Sequence, residues 1–148
     1  MKLFLDTNIL SEYLCNRKHA ATVEKILLCV EKGEIEGCVS VGSFYTLTYL
    51  IDVELKRGKQ LYNPERLILL RNILKRILLQ YQLVATTDLL LAVSDEQFTD
   101  LEDSYQYHTA LFAQCDFFIT LNEKDFRSAN QANIRIMTPE QFASEFLP

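Results

Sequence analysis

The sequence predicts an α/β fold, a three-layer sandwich in which helices cover both faces of a central parallel sheet of about five strands. Two observations carry this. Short apolar runs alternate from end to end with segments of helical period, the pattern of right-handed βαβ crossovers. Hydrophobic residues make up 49% of the 148 positions, while Gly and Pro number only 4 and 3, so a real core is expected and low-complexity disorder is not. No internal repeat and no linker is visible, so residues 1–148 read as a single domain.

Lys2–Leu5 is a short buried strand ended by Asp6, which is expected to open a loop. Val23, Ile26, Leu27 and Val30 recur at helical spacing between Thr22 and Lys32, and Gly33 closes that helix. Ile35–Val39 is the second strand. Ser40 and Ser43 offer N-caps for a helix carrying Phe44, Leu47, Ile51 and Leu55 on one face. After a loop over Gly58–Asn63, Pro64 suits the first turn of a helix that buries Leu67, Leu70, Leu74, Ile77 and Leu78. Leu83–Thr86 is a third strand and Asp88–Val93 a short helix. The acidic connector Asp95–Asp103 holds no Lys or Arg and runs into a helix from about Leu101 to Gln114. Phe117–Thr120 and Ile134–Met137 are the last strands, and Pro139 starts a terminal helix through Phe146.

Composition narrows the function classes. Cys15, Cys29, Cys38 and Cys115 form no CxxC pair and sit in apolar stretches, as buried thiols of a reducing compartment do. MKLFLDTN has five residues before its Asp, too few for a signal peptide, and no apolar run approaches a membrane span. A cytoplasmic protein without a membrane partner is expected. The net charge of −5 argues against a protein that coats nucleic acid, but not against an enzyme that touches it locally.

Polar residues just past the carboxyl ends of parallel strands converge on one rim. Asp6 follows the first strand, with Thr7 and Asn8 beside it. Thr120 ends the fourth, followed by Asn122 and Asp125. Asp100 and Asp103 lie three apart at a helix start, so both are expected on one side. Oxygen donors without a Cys/His set suit Mg²⁺ or Mn²⁺ rather than zinc, and such an ion can polarise a phosphoryl oxygen and generate hydroxide. Asp100 and Glu102 also read as carboxylates complementing a helix dipole, and Asp125 as a helix cap. Asp6 is harder to explain structurally, because it abruptly ends a buried strand.

These residues resemble the PIN-domain family of small metal-dependent ribonucleases, which includes the VapC-type toxins of toxin–antitoxin pairs. LDTNIL (Leu5–Leu10), DLEDSYQY (Asp100–Tyr107), CDFFITLNEKDF (Cys115–Phe126) and the closing MTPEQF (Met137–Phe142) stand in the family's order and spacing. The resemblance implies a PIN-like sandwich and a metal-dependent endoribonuclease acting on single-stranded RNA through metal-activated water. It matches Asp6 and Asp103 to two of the family's four acidic positions. The other two fall on Thr46 and Asn122, with Asp100 and Asp125 as substitutes. Implied metal ligands are Asp6, Asp103, Asn122 and Asp100, with Asp6, Asp103 and Asp125 catalytic. Ser40 and Thr120 would position water or phosphate, and Thr7 and Asn8 would hold the Asp6 loop. RNA, an antitoxin protein and a second copy of the chain are the implied partners.

Thr46 favours a rival from another class, a catalytically weak PIN-like domain that binds a protein or RNA. A phosphatase-like domain lacks support, since no Gly-rich phosphate loop is present. Finally, Lys56–Arg76 carries seven basic residues against one acid, Glu65. Arg71 and Lys75, four apart, share a helix face and read either as a solvated face or as a contact for RNA phosphates or an acidic partner next to the carboxylate rim.

Overall fold

A computed structural model describes residues 1–59, 63–85, 88–129 and 131–148. Its elements follow the predicted alternation. They are β1 (Lys2–Leu5), α1 (Thr7–Leu14), α2 (Ala20–Glu31), β2 (Glu36–Ser40), α3 (Val41–Lys59), α4 (Asn63–Gln80), β3 (Gln82–Val84), α5 (Leu89–Ser94), α6 (Leu101–Phe112), β4 (Phe117–Ile119), a 3₁₀ turn (Glu123–Phe126), β5 (Arg135–Met137) and α7 (Pro139–Phe146). The strands form one five-stranded sheet in the order β3-β2-β1-β4-β5, parallel throughout.

The alternation of side chains along each strand builds the three layers. Leu3, Leu5, Val39, Ile119 and Met137 point to one face, where α1, α2, α3, α4 and α7 bury Ile9, Ile26, Leu47, Leu70 and Phe142 against them. Phe4, Cys38, Phe118 and Ile136 point to the other, packed with Tyr107 and Ala110 of α6 and with Phe126. Phe4 stacks on Phe118 at 5.2 Å between ring centroids, and Phe118 meets Phe126 at 4.7 Å. Full burial of each such ring contributes about 2–3 kcal/mol.

Local signals explain the ends. Gly33 takes φ 74° just past α2, the left-handed turn where a side chain is costly. A Cβ on Gly37 would come within 2.8 Å of Tyr81 and 2.9 Å of Val30, so β2 needs glycine there. Ser40 Oγ accepts from Ser43 N at 2.8 Å and so caps α3. Thr138 and Gln141 form a reciprocal capping box at α7, with Pro139 in the first turn.

Three expectations are corrected. No loop follows β1: α1 begins at Thr7 with Asp6 as its N-cap. Leu67 and Leu78 are 36% and 49% exposed, because α4 turns Leu70 and Ile77 inward, seven apart, and leaves those flanking leucines outside. All four cysteines are free, but only Cys38 and Cys115 are buried. The end of the expected strand at Thr86 and part of the loop before α4 lie outside the described residues. Among the described residues, no helix is long and apolar enough to cross a membrane.

Candidate functional site

The chain spreads from β1 to β2 and β3 on one side, then returns to β4 and β5 on the other. Open α/β sheets hold ligands in the crevice at such a reversal, beyond the strands' carboxyl ends. Leu5 pairs with Ile119 across β1 and β4, which sets Asp6 beside Thr120. Thr120 Oγ1 and Asn8 Nδ2 donate to Asp6 Oδ2 at 2.7 and 2.8 Å, and Thr7 N donates to Oδ1 at 2.7 Å. Asn8 Oδ1 also accepts from Leu121 N at 3.2 Å, tying the start of α1 to the segment after β4. Asp6 is thus held in one orientation.

Asp6 is only 6% exposed. Burial pushes its carboxyl up to about 6; the bonds from Thr120, Thr7 and Asn8 pull it down, and the nearby charge of Glu102 adds to the rise. Asp103, half-buried in the first turn of α6, is pushed up to about 7. Burial is the largest cause, followed by the charges of Asp100, Asp6, Asp125 and Glu102, all acting in the same direction. Five carboxylates from three segments therefore form one electrostatic group.

Asp100 stands one position before α6 as its N-cap, its Oδ1 accepting from Glu102 N at 2.8 Å, while its charge still reaches Asp103. Asn122 and Asp125 are exposed, the first preceding the 3₁₀ turn and the second within it. Asn122 N donates to Thr120 Oγ1 at 3.1 Å. The Thr120 and Ser40 hydroxyls are engaged inside the protein, with Asp6 and Ser43 respectively. Thr7 belongs to a buried network: Gln106 Nε2 donates to Thr7 Oγ1 at 2.9 Å and to Ser43 Oγ at 2.6 Å, and those two hydroxyls meet at 2.6 Å. Gln106 Oε1 is buried and has no hydrogen-bond partner among the described residues.

Sequence reasoning did not single out Gln106 and read Glu102 only as a helix-dipole carboxylate. The available signal was spacing: Gln106 lies three residues beyond Asp103, on the same side of α6. Thr46 lines a groove together with Glu102 and Gln106, so the position where a carboxylate was expected lies beside the acidic group.

Every donor here is a hard oxygen, which suits Mg²⁺ or Mn²⁺. Among the described residues, no three Asp, Glu, His or Cys side chains stand close enough to make a ready cage. Mg²⁺ takes one or two carboxylates directly and keeps much of its water. The residues fit an ion held in that way, with Asp6 and Asp103 as the pair whose raised carboxyls a cation would relieve.

Arg71 and Lys75 are exposed on α4. Helix α4 ends one residue before β3 begins, so its C-terminal half lies toward the amino edge of the sheet, opposite the carboxylates. Arg76 confirms the direction by bonding Glu31, the last residue of α2, at 2.8 Å. The basic stripe therefore runs away from the rim rather than beside it.

A family model described as PIN domain matches residues 2–124. No curated protein matches the chain.

Proposed function

We propose that this chain, which belongs to the PIN-domain family, is a divalent-metal-dependent endoribonuclease that cleaves single-stranded RNA. The observation carrying the proposal is the pair of raised carboxyls, Asp6 and Asp103, at the reversal between β1 and β4. Such a pair is repulsive when empty and satisfied by a cation. Asp6 and Asp103 would hold Mg²⁺ or Mn²⁺, with Asp100, Asn122 and Asp125 completing or orienting its shell. Once bound, the ion supplies an activated water and charge neutralisation at a phosphodiester. Thr120, Asn8 and the Thr7 amide hold the Asp6 carboxylate in place throughout. Ser40 and Ser43 hold Thr7 and Gln106 behind it. Asp125 or Asp103 would accept the proton of the attacking water. We assign residues 1–148 to one functional unit in the cytoplasm, with RNA as substrate and an antitoxin protein or a second copy of the chain as partners. Arg71 and Lys75 would meet a distant RNA phosphate or an acidic partner.

One observation favours the rival reading of a binding module: Thr46 stands where a carboxylate was expected, and the described residues hold no ready-made cage. Calorimetric titration with Mn²⁺ separates the two. A nuclease site gives saturable heat that Asp103→Asn removes. A binding module gives none.

A further inference from the structure

We propose that the groove between α3 and α6 seats a nucleobase of the RNA whose phosphodiester lies at the carboxylate rim; this rests on the nuclease reading above. The groove has a volume of about 340 Å³ and is walled by Val41, Thr46, Val84, Leu89 and Tyr105. Glu102 and Gln106 also line it; the charge of Glu102 reaches Asp6 and Gln106 Nε2 donates to Thr7 Oγ1 at 2.9 Å, so groove and rim adjoin. Apolar walls next to a metal-binding rim suit a ligand with a flat apolar body and a charged backbone, which is what a nucleotide is.

The neighbouring face of α3 extends the seat. Gly42, Tyr45, Thr46 and Tyr49 recur at i, i+3, i+4 and i+7, one stripe of a helix. Gly42 and Thr46 line the groove, which sets Tyr45 and Tyr49 on the same side of α3. They are 70% and 69% exposed, so both rings are open to a ligand. Single-stranded nucleic acid is held by successive bases stacked on such rings. Tyr105 of α6 gives the groove its own ring. Stacking on rings does not depend on net positive charge, which a chain of net charge −5 lacks.

The test is anisotropy of a short labelled RNA of about six nucleotides in Mg²⁺, with an Asp6→Asn background to silence cleavage. Tyr45→Ala with Tyr49→Ala, and separately Tyr105→Ala, should each weaken binding by roughly five- to fiftyfold, with an unchanged salt slope. Thr46→Trp, which fills the groove, should weaken it similarly. Equal affinity in all three variants overturns the inference, and the nuclease reading then stands or falls on whether wild type cleaves RNA where Asp6→Asn does not. RNA neither bound by the background protein nor cut by wild type overturns both. If the tyrosine changes leave RNA affinity intact but alter the molar mass by light scattering, the face belongs to a protein contact and the inference is overturned.

Discussion

Asp6 and Asp103 hold their protons more tightly in the folded chain than an exposed aspartate does. Their carboxyls sit at about 6 and about 7, against 3.8 for an ordinary Asp. Between those values the folded state binds more protons than the unfolded state, so stability falls as pH rises through that window. The melting temperature of metal-free protein should therefore decline from about pH 4 to about pH 7. Asp95 acts oppositely: burial raises its carboxyl, but the bonds from His108 and Gln97 outweigh this and hold it below the usual range. Its contribution is lost only as pH falls below that range. Asp103→Asn should flatten the decline and, near pH 8, raise the metal-free melting temperature. Asp103 is half-exposed, so solvent screening cuts the gain to about 1 kcal/mol, or about 3 °C in a domain of this size. Differential scanning fluorimetry across pH checks both, and a flat wild-type profile would refute the raised carboxyls. Thr46→Glu places a carboxylate in the groove beside Glu102. It should tighten Mn²⁺ by roughly tenfold in a calorimetric titration; unchanged affinity would mean that Thr46 is not the vacant acidic position.

Helix α1 shows at the scale of an element what periodicity reads and what it misses. The helices with clean apolar faces, α2, α3 and α7, were legible within a few residues. The TNILSEYL of α1 was not, because it buries Thr7, Ser11 and Glu12 alongside Ile9 and Leu10. Ser11 Oγ donates to Asn8 O at 3.1 Å and Glu12 accepts from the His19 amide at 2.7 Å, both nearby in the chain. Thr7 is satisfied by partners distant in sequence, Ser43 and Gln106, which no local pattern encodes. Asn8→Ala should cost about 1–2 kcal/mol in urea unfolding, since it strips bonds from Asp6 and from the Leu121 amide. Helix α4 was legible in its existence but not in its direction across the fold, which is set by the single residue between it and β3. Arg71→Ala with Lys75→Ala should flatten the salt dependence of RNA binding by about one to two log–log units if the stripe meets phosphates. An identical slope would return those side chains to an ordinary solvated face.

At the scale of the whole molecule, the alternation of strands and helices announced a parallel sheet but not its order. Only the return of the chain from β3 to β4, on the far side of β1, brings Asp6 next to Thr120 and the carboxylates of α6. Asp6 was legible because it abruptly ends a buried strand; the amide of Gln106 was not, because a polar residue on a helix usually faces water. Metal-dependent cleavage of a single-stranded RNA by the purified chain, with and without Asp103→Asn, bears most directly on the site. Cleavage that requires Mg²⁺ or Mn²⁺, stops with chelator and drops by roughly a hundredfold or more in the variant is the expected result. Cleavage that persists in chelator, or at full rate in folded Asp103→Asn protein, would contradict a metal nuclease centred on these carboxylates.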